Sequence, residues 1–229
     1  MRQIVLDTET TGLATSHGHR IIEIGCLELV NRRLTGRKFH CFLNPDRDID
    51  EGAQSVHGIS REDLDTAPRF PEIVDEMLEF FGGAELVIHN ADFDVGFIEY
   101  ELTLMGHAQP DITDHATVLD TLSLARKMHP GQRNSLDALC KRYEVDASQR
   151  NVHGALIDAE LLAQVYLAMT GGQTAMSLDA EAAKPAAKGS VEAPHGRDLN
   201  LVVIKATDEE AAAHEAILEK IARIDHSPD

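Results

Sequence analysis

The sequence is short of positive charge. Its 21 lysines and arginines face 39 aspartates and glutamates, a formal net charge of −18. That balance excludes a protein that grips long nucleic acid through a broad basic face. It does not exclude a substrate bound at carboxylates loaded with divalent metal, where the local charge is far less negative than the formal count. Cysteine is scarce too. Cys26, Cys41 and Cys140 are odd in number, widely spaced and form no CxxC pair. The pattern points away from a disulfide framework, and the apolar settings predict buried free thiols in a reducing compartment. No apolar run approaches the roughly 20 residues of a membrane span. Met1 leads almost directly into a strand pattern, with no basic and apolar leader segment. The expectation is a cytoplasmic protein without a membrane partner. No internal repeat is visible.

What is present suits a globular protein: 229 residues, 43% hydrophobic and 26% charged, enough for one or two domains. "RQIVLDTE" reads as a buried strand. "RIIEIGCLELV" (Arg20 to Val30) and "RLTGRKFHCFL" (Arg33 to Leu43) follow as a hairpin joined near Asn31. Asn44 to His57 is polar and turn-rich. "ISREDL" has a capping-box-like start at Ser60 and Asp63. "FPEIVDEMLEFFGG" places Pro71 at a helix start and Gly82-Gly83 at its end. "ELVIHN" is a short strand, and "ADFDVGFIEYELTLMG" a helix with Phe93, Phe97, Tyr100 and Leu104 on one face. "ATVLDTLSLARKM" passes from strand to helix, and "NSLDALCKRYE" and "GALIDAELLAQVYLAMTG" are helices. Early strands followed by alternating strands and helices predict an α/β fold with a mixed sheet, an antiparallel meander extended by parallel crossovers.

Two acids end the first strand. Asp7 and Glu9 are two apart and so share a face. At ~4 Å two like charges repel by ~4 kcal/mol at an effective dielectric near 20, which a bound cation would relieve. Three later stretches can complete a site. In "HNADFDVGF", Asp92 and Asp94 lie on opposite sides of a helix, and spacing alone does not choose between them. In "NVHGALIDAELL", Asp158 borders an apolar stripe of Ala155, Leu156, Ala159, Leu162, Ala163 and Tyr166. His153 lies five residues earlier, roughly 140° away on an ideal helix, so it should sit on a turn before the helix proper. "SVHGIS" offers His57 in a loop. Oxygen ligands favour Mg²⁺ or Mn²⁺. Acids from separate elements suit a two-metal phosphodiester site, with a histidine as base.

These residues carry a resemblance. "DTETTG", "HNADFD" and "HGALIDA", in that order, make the chain similar to the DEDD exonucleases of the histidine-using subclass. Among these it resembles the proofreading subunits of bacterial replicative polymerases. "VHGI" at Val56 to Ile59 and "ELVIHNA" at Glu85 to Ala91 add to the match. The resemblance spans nearly all of residues 1–170. It implies a ribonuclease H-like five-stranded mixed sheet flanked by helices. It also implies two-metal 3′→5′ hydrolysis of a DNA primer end, releasing nucleoside monophosphates. By that resemblance Asp94 is selected over Asp92. The resemblance further implies that Asp7 would bridge two divalent cations, Glu9 and Asp158 would help hold the one carrying the attacking water, Asp94 would serve the second, and His153 would be the general base. Val56, His57, Asn90 and Phe93 would line the terminal-nucleotide pocket, with Leu13 near the base. Asn90 can also serve as a helix N-cap.

Beyond residue 170 the composition shifts. Residues 171–198 are rich in Ala, Lys, Pro, Gly and Glu and read as a flexible tether. "QTAMSL" within it, with Gln173, Met176 and Leu178, is similar to peptides that dock into a sliding clamp (beta). Residues 199–229 recover a helical pattern, with Ala213, Ile217, Ile221 and Ile224 in register. By resemblance this segment would bind the polymerase alpha subunit. An additional small accessory subunit on the catalytic domain stays open. Tethering explains how an acidic enzyme reaches its substrate without a basic surface. Two rival readings stand: an RNA-trimming enzyme of the same fold, similar to oligoribonuclease or RNase T, and a non-catalytic subunit stabilising a polymerase–clamp assembly.

Overall fold

The structure is a computed structural model and describes residues 1–148, 150 and 152–171. The tether, with Gln173, Met176 and Leu178, and the segment from residue 199 lie outside the described residues.

A five-stranded sheet forms the centre, in the order β3-β2-β1-β4-β5. The strands are β1 (Arg2–Thr10), β2 (Ile21–Val30), β3 (Arg33–Phe42), β4 (Glu85–Ile88) and β5 (Thr117–Asp120). The first three form the antiparallel meander, and β4 and β5 join in parallel. This is the mixed sheet expected. The helices are α1 (Glu51–His57), α2 (Phe70–Phe81), α3 (Ala91–Leu104), α4 (Thr121–Met128), α5 (Leu136–Arg142) and α6 (Ala155–Gly171).

Strand alternation sorts the core into two layers. Ile4 and Leu6 of β1 pack with Val74, Met77, Phe81, Phe97 and Ile98 from α2 and α3. Val5 packs with Leu139, Ala159, Leu162 and Tyr166 from α5 and α6. A strand buried on both faces reads as a near-continuous apolar run, as "QIVL" does. The alternation then puts Asp7 and Glu9 on the α6 side and Thr8 on the α3 side.

β1 is longer than its parallel neighbour. Pairing with β4 stops at Leu6 opposite Ile88, while pairing with β2 continues through Asp7–Gly25 and Glu9–Glu23. The acidic end therefore projects beyond the carboxyl ends of the parallel strands, where open α/β sheets place their ligands.

Three local expectations need correction. The polar stretch before Gly58 contains α1, a short helix whose one buried residue is His57; with no apolar stripe it shows no helical period. The buried face of α3 is Ala91, Asp94, Phe97, Ile98, Glu101 and Leu102, whereas Leu104 is exposed. Two acids share that face, so hydrophobicity alone sets its phase wrongly. Glu101 is held there by Arg20, with contacts of 2.7 and 2.6 Å. Cys26 and Cys140 are buried free thiols as expected, but Cys41 is only half-buried.

Candidate active site

Glu9, His153 and Asp158 each offer an atom to one cluster, all within 4.8 Å of one another. Three features of the local fold create it. Gly25 lies opposite Asp7 in the sheet. A Cβ there would collide with the backbone of Ala155 and Leu156, so a bare glycine lets the start of α6 lie against β2. Glu23, buried beside Glu9, accepts the Ala155 N–H at 3.1 Å and so caps α6. Its other oxygen lies 2.8 Å from His40 Nε2. Asp158 falls on the first turn of the helix thus anchored and is buried.

His153 precedes α6, on the turn that the spacing required. Its backbone N–H donates to the Val56 carbonyl at 3.1 Å, which ties the turn to α1. The ring is 42% exposed, open enough to meet a substrate. Nδ1 lies 3.1 Å from Asp158 Oδ2 and 2.7 Å from Arg150 Nη2.

Asp94 comes from the opposite layer and is buried, whereas Asp92 is exposed. Thr8 fixes Asp94 Oδ1 by its backbone N–H at 3.0 Å and its hydroxyl at 2.7 Å. The N-terminus of α3 is set by Asp120, whose Oδ1 accepts from Asn90 N–H at 3.1 Å and Ala91 N–H at 3.4 Å. Asn90 stands at the N-cap with φ 68° but makes no side-chain cap bond, so Asp120 does the work expected of it.

The acids disturb one another. Asp7 is pushed well above the ordinary carboxyl range, by burial first and then by Asp94, Asp158 and Glu9, with Arg150 opposing. Glu9 is pushed up to about 8, by burial and then by Asp158, Glu23 and Asp94, with Arg150 again opposing. Asp94 is raised by burial, against the pull of the Thr8 bonds. Asp158 Oδ1 is buried without a hydrogen-bond partner. Mutually raised carboxyls and an orphaned buried oxygen are what a divalent cation would satisfy, and the mostly oxygen donor set suits a hard one.

Beside the acids lies a cleft of about 430 Å³, lined by Thr8, Glu9, Leu13, Val56, His57 and Phe93 among others. Leu13 is 86% exposed at its mouth. His57 is buried in its wall, accepts the Ile59 N–H at 3.1 Å, and is pushed below the ordinary imidazole range by burial. Asn90 lines an adjoining hollow with Leu13 and Phe93 rather than this cleft. In the exit turn "TTG", Thr10 donates to the Gly12 carbonyl at 2.7 Å and lines the cleft, while buried Thr11 meets His19 Nδ1 at 3.0 Å.

Fold and site together define a nuclease class: a carboxylate cluster with one histidine at the end of a mixed five-stranded sheet. Comparison with known proteins agrees. The family model described as Exonuclease (RNase_T) matches residues 4–166. DNA polymerase III subunit epsilon of Escherichia coli (strain K12) is 52% identical over 228 residues, covering 97% of this chain and 94% of that protein. A solved Exonuclease X, in complex with 5′ overhanging duplex DNA, has a TM-score of 0.58 at 23% identity, covering 74% of this chain and 91% of that one. A zinc-bound complex of E. coli ExoI with single-stranded DNA has a TM-score of 0.63 at 16% identity, covering 73% and 39%. The chain belongs to the exonuclease family, in its branch of DNA polymerase III epsilon subunits. Its activity is that of a proofreading 3′→5′ exonuclease.

Sequence reasoning missed Arg150, Thr8, Glu23 and Gly25. Gly25 carried a usable signal, a glycine inside an apolar strand, and Glu23 another, an acid in the same run. Arg150 sits in a polar stretch without any pattern.

Proposed function

We propose that this chain trims the 3′ end of a DNA primer with two divalent cations, Mg²⁺ or Mn²⁺, as a cytoplasmic proofreading subunit of DNA polymerase III. The observation that supports it best is the cluster of Glu9, His153 and Asp158, with ligand atoms within 4.8 Å, at the tip of a strand that also carries Asp7. Asp7, Glu9, Asp94 and Asp158 would hold the cations. When bound, these would supply Lewis acidity to the scissile phosphate and an activated water.

The chain's own residues do the rest. Thr8 and Asp120 fix α3 and Asp94, and Glu23 and Gly25 fix α6 and Asp158. His153, half in solvent on its turn, takes the proton of the attacking water. Leu13, Val56, His57 and Phe93 receive the terminal nucleotide in the cleft, with Asn90 at its edge. The catalytic domain would be residues 1–170. Residues 171–198 would tether it and dock the sliding clamp (beta) through Gln173, Met176 and Leu178. Residues 199–229 would bind the polymerase alpha subunit.

Digestion of a mispaired DNA primer beside a short RNA, with Mg²⁺ or Mn²⁺, tests this. Preference for the DNA end, lost in Asp7→Ala, is expected. A strong preference for RNA would overturn the substrate, and unchanged activity in Asp7→Ala would overturn the site.

A further inference from the structure

Arg150 has three partners, two in the cluster and one outside it. Its side chain is 8% exposed. Nη2 donates to Asp158 Oδ2 at 2.5 Å and lies 2.7 Å from His153 Nδ1, and Nη1 pairs with Asp137 on α5. Among the described residues, Arg150 and His153 are the basic side chains in ion-pair contact with Asp7, Glu9, Asp94 or Asp158. Asp158 Oδ2 is thus claimed by a guanidinium, while Oδ1 of the same carboxylate has no partner.

A guanidinium can only donate. While Arg150 faces Nδ1, that nitrogen accepts, and the proton of a neutral ring sits on Nε2. The alternative partner of Nδ1 is Asp158 Oδ2, already 3.1 Å away. Asp137 is the other fixed point: it belongs to α5, its side chain is 63% exposed, and it is not one of the clustered acids.

We propose that Arg150 is a metal-displaced latch, a positioning residue that competes with the divalent cation for Asp158 and, once displaced, stays held by Asp137. The inference rests on the two-metal reading above. The latch offsets the mutual repulsion of the acids, which keeps the site assembled. It also sets a threshold, because a cation must displace an ion pair to gain Asp158. Withdrawal of the guanidinium then lets His153 Nδ1 donate to the carboxylate, which leaves Nε2 free to accept a proton. Arginine suits this role because its planar fork reaches several partners at once.

The test is calorimetric titration of the full-length protein with Mn²⁺. Removing the competitor in Arg150→Gln should tighten Mn²⁺ binding about tenfold, because the cation no longer has to break the Arg150–Asp158 ion pair. A merely structural role would weaken binding instead, so equal or weaker binding overturns the latch. If Arg150→Gln does not fold, Arg150→Lys decides: one ammonium cannot hold Asp137 and Asp158 together as the guanidinium does, so tighter binding supports the latch and equal or weaker binding overturns it. Asp7→Asn separates the two readings. Mn²⁺ binding that is absent in the wild type, or unaffected by Asp7→Asn, would sink the metal site itself. Binding that needs Asp7 but ignores Arg150→Gln sinks only the latch.

Discussion

Thr8, the residue between the two strand acids, donates both its backbone N–H and its hydroxyl to Asp94 Oδ1, at 3.0 and 2.7 Å. The acids of β1 face one layer, and Thr8 reaches through to the acid of the other. Thr8→Val keeps the shape and the backbone bond but removes the hydroxyl. It should cost about 1.5–3 kcal/mol of stability, the value of one buried bond to a carboxylate. Exonuclease rate should fall roughly tenfold, because Asp94, a proposed ligand of the cations, loses the hydroxyl that orients it. Thr8→Ser should keep most of both. Parallel thermal melts and primer-digestion rates check this, and an unaltered rate in Thr8→Val would show that Asp94 needs no such support.

The raised acids make a pH prediction. Glu9 is pushed from an ordinary 4.5 to about 8, and Asp7 is raised in the same direction. A raised carboxyl binds its proton more tightly in the folded than in the unfolded chain. Between about pH 4.5 and about pH 8 the folded state therefore carries more protons, and stability falls as pH rises. Melting temperature of the metal-free protein should drop by several degrees across that window. Saturating Mg²⁺ should flatten the drop, since cations take over the role of the protons. A metal-free melting temperature that rises towards pH 8 would contradict the electrostatics described for the site.

How far the sequence carried the reading depends on the kind of signal. The strands of the meander and the long helices were legible because alternation and helical period come directly from burial. The helix over Glu51–His57 was not, because it buries only His57. The face of α3 was misphased because Asp94 and Glu101 occupy buried positions that a hydrophobic count assigns to solvent. Asp7, Glu9, Asp94, His153 and Asp158 were legible through ordered motifs. Their supports were not. Thr8 acts across a strand, Glu23 across a sheet register and Arg150 between two helices, and each depends on neighbours that are distant in sequence.

Gly25 and Glu23 give a third prediction. Gly25→Ala would press a methyl into the Ala155–Leu156 backbone and lift the start of α6. Overpacking against backbone costs about 2–3 kcal/mol. Because Asp158 and the His153 turn move with α6, activity should fall further than that stability loss explains. Glu23→Gln is milder. It keeps an oxygen for the Ala155 N–H and removes the charge that helps raise Glu9. The pH-dependent loss of stability should become shallower in this variant. An unchanged slope would show that Glu23 does not act on Glu9.

The proposed docking of Gln173, Met176 and Leu178 on a sliding clamp is tested by substitution in the full chain. Gln173→Ala, Met176→Ala and Leu178→Ala together should abolish clamp binding in a pull-down or surface binding assay. Nuclease activity on a free primer should stay unchanged, since every clustered acid lies at or before Asp158. Clamp binding that survives the triple substitution would remove the docking role from Gln173, Met176 and Leu178.

Leu13 offers the cleanest separation of binding from chemistry. It is 86% exposed, so it contributes little to the folded core, yet it stands at the mouth of the cleft beside Glu9, Val56 and Phe93. An exposed leucine over a cleft of about 430 Å³ has a hydrophobic surface to give to a ligand and none to spare for folding. If a terminal base covers about half of it, Leu13→Ala forfeits about 1 kcal/mol of contact. That corresponds to a KM roughly fivefold higher with kcat almost unchanged, the pattern of lost uniform binding. Melting temperature should stay within a degree or so of the parent, as for other surface changes. Steady-state digestion of a single-stranded primer separates the two constants. A fall in kcat at constant KM would instead place Leu13 in the positioning of the scissile bond, and the base would then have to bind elsewhere.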